Sequence, residues 1–238
     1  MRKISGLLIA AAVVFLISGC SFYIGSGVAV ETEYDLDGFT SVDARAASDV
    51  TIVKGDVFSV TITSDDNIAD SLDVSLSGST LIVSRNPGLS FGTTIFKAEV
   101  VMPELDSLRI SEASVIKSSG FEAADAFDVD VSSAGKGNLS FISAGNIKAN
   151  VREAGNLVVS SLSPAGDLDV ACSSASTADF RNCVSDDVMV NITGAGTAWV
   201  NLSGFLSGSI VEASKLYYKG TPVVANVNVN TAASISTY

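Results

Sequence analysis

The sequence contains no histidine. That absence removes Ser-His-Asp and Cys-His triads and every histidine metal ligand. No GxxxxGK[ST] phosphate loop occurs either, and "GAG" at Gly194 to Gly196 lacks the third glycine and following helix of a dinucleotide site, so it reads as a turn. "DLDG" at Asp35 to Gly38 starts like a calcium loop but lacks the later oxygen ligands. No metal and no cofactor are assigned. Positive charge is scarce: 14 Lys and Arg against 26 Asp and Glu give a formal net charge of −12. Such a surface repels phosphate backbones, so no nucleic acid partner is expected. Large aromatics with a polar edge are few, one tryptophan and five tyrosines. What remains is 47% apolar and only 17% charged over 238 residues, enough for a substantial core and unlike a disordered chain.

One apolar run stands out, Leu7 to Ile17, preceded by Arg2 and Lys3 and followed by Ser18, Gly19 and Cys20. A charged start, a short apolar stretch and small residues at a cut site make a secretory signal, too short for a membrane span. The end of the run, "ISGC", reads as a bacterial lipobox that leaves Cys20 as the lipidated first residue of the mature chain. The organisation expected is a signal peptide over 1–19, a linker over 20–34 and one head domain over 35–238. The protein is then exported and held to the cell envelope through its lipid, at the outer membrane or the outer face of the cytoplasmic membrane. The other two cysteines, Cys172 and Cys183, are read either as a disulfide, which an exported location permits, or as two buried thiols.

The stretch "VREAGNLVVS" recurs. Ala113, Ala134, Ala154, Ala175, Ala195, Ala213 and Ala232 follow one another at steps of 21, 20, 21, 20, 18 and 19 residues, and Ala47 lies in the same frame. Three residues before each alanine come Ile110, Val131, Val151, Cys172, Ile192, Ile210 and Val229. Apolar residues also fall five before it and three and five after it, the period-two pattern of strands with one buried face. Each unit is a strand, a tight corner, a second strand and a return. A unit of about 20 residues cannot bury its apolar face alone, whereas stacked units can. The fold class is therefore all-β, a right-handed parallel β-helix with coils of about 20 residues. An antiparallel sandwich also accounts for short strands, but not for one small residue per 20. The corner alanines are expected to point into a narrow interior, so that leucine at Ala154 breaks the stack. The stretches "VFSVTIT" and "LDVSLSGSTLIVS" are expected to form the first coils, and Asn86 to Phe96 a loop leaving the stack.

In this frame Glu112, Glu153 and Glu212 precede corner alanines and face solvent on alternate coils. Cys183 takes a position that is apolar in other coils, as Cys172 does. Trp199 lies between inward Ala198 and Val200 and points outward, a candidate ligand contact. Phe91 and Phe96 on the loop are the other candidates, either as a binding edge or docked on the core. Carboxylates near the spacing used for inverting glycoside hydrolysis occur at Glu112 and Glu153. A polysaccharide-degrading β-helix enzyme is thus one alternative, though aromatic and basic groups for a sugar are scarce. No catalytic residue is assigned.

From about Tyr34 to Tyr238 the chain resembles the auto-transporter adhesin head GIN domain family. The carriers are "LDGFTSVDA", "LSGSTLIVS", "MPELDSLRISEAS", the corners "SSAGKGNLS" and "TGAGTAWV", and "LYYKGTPVV". The chain departs from it where serine stands in place of a glycine, as in "EAS" at Glu112 and Glu212. The resemblance implies an exported, often lipid-anchored β-helical protein and carries over no catalytic residue. The function expected is a cell-envelope adhesin or binding module without catalysis, contacting glycans or surface proteins through its outer faces. A structural, self-associating role is the other alternative. The final coil "ANVNVNTAASISTY" carries nothing that reads as a polar cap and is expected to form a weak homodimer.

Overall fold

The computed structural model describes residues 22–88, 90–222, 225–230 and 232–238. The signal peptide and Cys20 lie outside the described residues. The strands early in the chain are β1 (Phe22–Tyr23), β2 (Ala29–Tyr34), β3 (Ser41–Ala44), β4 (Asp49–Lys54), β5 (Ser59–Asp65), β6 (Leu72–Ser77) and β7 (Thr80–Arg85). They continue with β8 (Ser90–Phe91), β9 (Phe96–Met102), β10 (Ser107–Ile110), β11 (Val115–Val131), β12 (Lys136–Val151), β13 (Asn156–Ser161) and β14 (Leu168–Cys172). The last are β15 (Thr177–Ser185), β16 (Val188–Ile192), β17 (Thr197–Leu202), β18 (Leu206–Ile210), β19 (Lys215–Gly220), β20 (Ala225–Val229) and β21 (Ser234–Thr237).

These strands wind into a parallel β-helix with two faces. One face stacks β7, β3, β10, the ends of β11 and β12, then β14, β16, β18 and β20, all parallel. The opposite face stacks β9, β4, the starts of β11 and β12, then β13, β15, β17, β19 and β21, again parallel. Period-two alternation turns every second side chain inward. Val42, Leu108, Val129, Ala149, Val170 and Val190 form one inward ladder, each at most 2% exposed. Phe127 and Phe141 fill the width between the faces, ring centroids 5.0 Å apart and edge to face.

At one edge the faces join through a tight corner of two successive residues with positive φ. Such pairs are Glu112 (53°) and Ala113 (62°), and Glu153 (53°) and Ala154 (60°). The corner alanines are exposed, contrary to the inward position expected of them. Two left-handed residues swing the chain so that the residue after the alanine points inward. That buried column is Ser48, Ser114, Gly135, Gly155, Ser176, Gly196 and Ser214. A Cβ on Gly155 would lie 2.8 Å from the carbonyl oxygen of Val131, on the neighbouring coil. Serine replaces glycine at four of these positions: Ser176 Oγ donates to the Val151 carbonyl at 2.7 Å and Ser48 pairs with Ser114, while the buried Ser214 hydroxyl has no partner among the described residues. The alanines contribute their amides instead. Ala113 N–H donates to Ser133 O, Ala134 N–H to Glu153 O, Ala154 N–H to Ser174 O and Ala175 N–H to Gly194 O, at 2.8–3.0 Å.

The first third departs from sequence order. The β7/β9 coil lies outside the β3/β4 coil, which is sandwiched between it and β10/β11. "VFSVTIT" does not make a coil. Its strand β5 runs antiparallel to β9, β2 runs antiparallel to β5, and β6 runs antiparallel to β7. Together they close the end of the helix, because antiparallel strands cover the open edges of the first coil. β2 also takes residues 29–34 of the expected linker into the domain.

Candidate functional site

The outward positions of β15, β17, β19 and β21 carry the one tryptophan. Asp179, Trp199, Tyr217 and Ser236 share a rung position on successive coils. The indole of Trp199 stacks on the phenol ring of Tyr217, centroids 5.2 Å apart and planes 11° from parallel. The guanidinium of Arg181, one coil earlier, lies 5.4 Å from the indole centroid. Asp179 holds it there. Arg181 Nε donates to both Asp179 oxygens at 2.9 and 3.0 Å, Nη2 donates to Oδ2, and the Arg181 amide donates to Oδ1 at 3.1 Å. Partial burial raises the Asp179 carboxyl, but the hydrogen bonds and charge of Arg181 outweigh it and hold it below the ordinary carboxylate range. Arg181 is raised in turn by its hydrogen bonds to Asp179.

Arg181 therefore covers one face of the indole and Tyr217 the other. The surface left to a ligand is the indole edge and the far face of Tyr217, which looks onto the small side chain of Ser236. Tyr238 stands beside the ladder, 46% exposed, its hydroxyl directed to the Val200 carbonyl at 3.5 Å. The result is a planar, polar-edged platform on a rigid sheet. It can stack on an apolar ring face and offer donors and acceptors around the rim.

The other candidate residues lie elsewhere. Phe96 begins β9 inside the core, 3% exposed, with the Arg85 guanidinium 5.2 Å from its ring centroid. It is not a ligand contact, because β9 alternation turns it inward. The side chain of Phe91 is outside the described residues, but its backbone pairs with Tyr23 in a short β1–β8 ladder. The excursion from Asn86 to Phe96 is tied down rather than free. Gly25 N–H donates to Thr93 O at 3.1 Å, and buried Asp65 accepts from Gly27 N–H at 2.7 Å and Ile95 N–H at 2.6 Å. Cys172 and Cys183 are two free, buried thiols rather than a disulfide. Cys172 sits beside the tight corner and Cys183 near the opposite edge of the same coil. Burial pushes the Cys172 thiol up to about 12 and the Cys183 thiol up to about 11, far from a reactive thiolate. Glu112 and Glu153 stand exposed on corners, and Glu153 accepts a hydrogen bond from Ser133 Oγ at 2.7 Å. Among the described residues no group of three or more Cys, Asp or Glu is placed to hold a metal ion.

Sequence reasoning missed Asp179, Arg181 and Tyr217. The signal was present: Asp179, Trp199, Tyr217 and Ser236 each fall four residues after a corner alanine.

Fold and surface together define the class, a β-solenoid head domain with a rigid, ligand-accessible outer face. The chain belongs to the family described as "putative auto-transporter adhesin, head GIN domain", which matches residues 38–222. Membership places it among adhesin-like surface or exported proteins. Solved structures share the fold at low identity. A putative adhesin from Bacteroides fragilis superposes with a TM-score of 0.83 at 14% identity, covering 91% of this chain and 100% of that one. A putative lipid binding protein from Parabacteroides distasonis gives 0.75 at 17%, covering 92% and 100%. A putative adhesin from Parabacteroides merdae gives 0.65 at 15%, covering 92% and 99%. No curated protein matches the chain.

Proposed function

We propose that this protein is a lipid-anchored cell-envelope adhesin, a binding module that performs no catalysis. The observation that carries the reading is the Arg181–Trp199–Tyr217 ladder, aromatic surface fixed in register on the outward side of a rigid sheet. Each contact is weak, and many copies on one membrane sum them into avidity. The ligand class is glycans or surface proteins, met by Tyr217 and the edge of Trp199. The anchor is Cys20, at the end of the leader-like run. The test is a panel of glycans and matrix proteins against the exported protein and its Tyr217→Ala variant. Retention that falls with the substitution supports the reading. No retention above an unrelated acidic lipoprotein removes it. Metabolic labelling with palmitate, lost in Cys20→Ser, tests the anchor separately.

A second reading is self-association. Among the described residues β20 pairs only with β18 and β21 only with β19, and Val227, Val229 and Ile235 are half-buried beside those free edges. Two copies meeting there would complete both ladders. Light scattering that stays monomeric at high concentration rules it out.

A further inference from the structure

We propose that the face opposite the aromatic ladder carries a second site, a groove that binds an extended basic polypeptide segment with an apolar side chain. Two outward rows run along the stack where the coils return. One is Ala126, Asn146, Asp167, Asp187 and Phe205; the other, two residues further along each strand, is Asp128, Lys148, Asp169, Met189 and Ser207. Between them lies a groove of about 470 Å³.

The first row is a built feature. Asn146 Oδ1 accepts from Asp167 N–H at 2.9 Å, Asp167 Oδ1 from Asp187 N–H at 3.2 Å, and Asp187 Oδ1 from Phe205 N–H at 2.8 Å. Side chain to backbone, each coil holds the next. A Cβ on Gly204 would lie 2.2 Å from Asp187 Oδ1, so glycine there keeps the ladder intact. Its end presents Phe205 to solvent, 51% exposed, with Met189 44% exposed across the groove. Around the same edge Leu162 is 84% exposed. Large apolar side chains gathered at one edge of an otherwise polar surface mark a contact site.

Charge and length choose the occupant. Asp128, Asp167, Asp169 and Asp187 rim the groove against the single ammonium of Lys148. Among the described residues no ion pair involves Asp128 or Asp169. A cationic partner is favoured and an anionic one repelled. The rows cross five coils, about 19 Å at strand spacing, which is the length of about six extended residues. A small cation cannot use both the acidic rim and the apolar end. A segment alternating Lys or Arg with a large apolar residue uses both. This site is independent of the aromatic ladder, which occupies the other face.

The probe is a short fluorescent peptide alternating lysine and leucine, titrated against the exported protein purified in mild detergent. Anisotropy is expected to report binding that weakens with added salt. Asp128→Asn with Asp169→Asn, and separately Phe205→Ser, should each weaken it about tenfold or more with unchanged Tm, while Trp199→Ala leaves it alone. An otherwise identical peptide carrying glutamate should not bind. The proposal falls if the lysine peptide fails to bind, if the glutamate peptide binds equally, or if the groove variants leave affinity unchanged. It also falls if Phe205→Ser instead abolishes self-association or attachment to neutral phosphatidylcholine vesicles, since the occupant is then a second copy or a lipid surface.

Discussion

At a corner such as Glu153–Ala154–Gly155, backbone conformation and packing act on different residues. Ala154, at φ 60°, is in a region that costs an L-residue about 1–2 kcal/mol relative to the right-handed one. Its side chain is exposed and packs against little. Ala154→Gly is therefore expected to leave stability unchanged or raise it by up to about 1 kcal/mol. Ala154→Leu should cost under about 1 kcal/mol, since an exposed site accepts the bulk. Gly155→Val should cost about 3 kcal/mol or more, because its Cβ runs into a backbone carbonyl that cannot retreat. Thermal melts of the three variants check the ordering, and equal losses for leucine at 154 and valine at 155 contradict it. The period of the alanines was legible in the sequence because identical corners recur. The inward residue was legible too, since buried Val151, Gly155 and Leu157 share one parity and Ala154 has the other; what alternation does not report is the pair of positive φ values that turns Glu153 outward at the corner. The thiols follow the same logic of burial. Neither Cys172 nor Cys183 should react with iodoacetamide in the folded protein at pH 8, and both should react once it is denatured.

Among the elements, the strands after β10 follow from the repeat, whereas the cap does not. Alternation in "VFSVTIT" marks a strand without saying whether it runs with or against its neighbour. That choice is made by tertiary pairing, here to cover the edge of β9. The site was legible to the same degree. Trp199 was placed outward by alternation, while the sequence leaves Phe96 between a binding edge and docking on the core, and its place as the first inward residue of β9 decides for the core. The ladder across β15, β17 and β19 has a built-in reporter, since Trp199 is the only tryptophan. The folded-state pKa of Asp179 is depressed, so its contribution is present above the unfolded value of about 3.9 and is lost as pH falls through the lower folded value. Indole emission should hold steady from pH 7 to 5 and change only below about pH 4, when Arg181 is released from its carboxylate. Asp179→Asn should remove that step. A transition centred near pH 6 contradicts the assignment.

The whole molecule is a stack in which each coil is stabilised by its neighbours, so its ends decide where it opens. At one end Asp65, 1% exposed, joins the N-terminal arm to the excursion before β9 through two charge-assisted hydrogen bonds, each worth about 1.5–3 kcal/mol. Antiparallel β5 and β6 lie over the first coil. At the other end β20 and β21 each have one partner among the described residues. Opening should therefore begin at β21 and β20 and travel toward the cap, because a rung with one neighbour loses half the ladder that holds an internal rung. Amide exchange is expected to be fastest in Ser234–Thr237 and Ala225–Val229, slower in β18 and β19, and slowest in β10 to β14. Asp65→Ala should speed exchange at Gly27 and Ile95 about tenfold or more without disturbing that order. The gradient also separates the two readings of the last coil. If copies pair there, protection of β20 and β21 must rise with protein concentration, since the partner supplies the missing ladder. If the coil is simply open, protection stays constant at every concentration, and the end of the rod is a frayed edge rather than an interface.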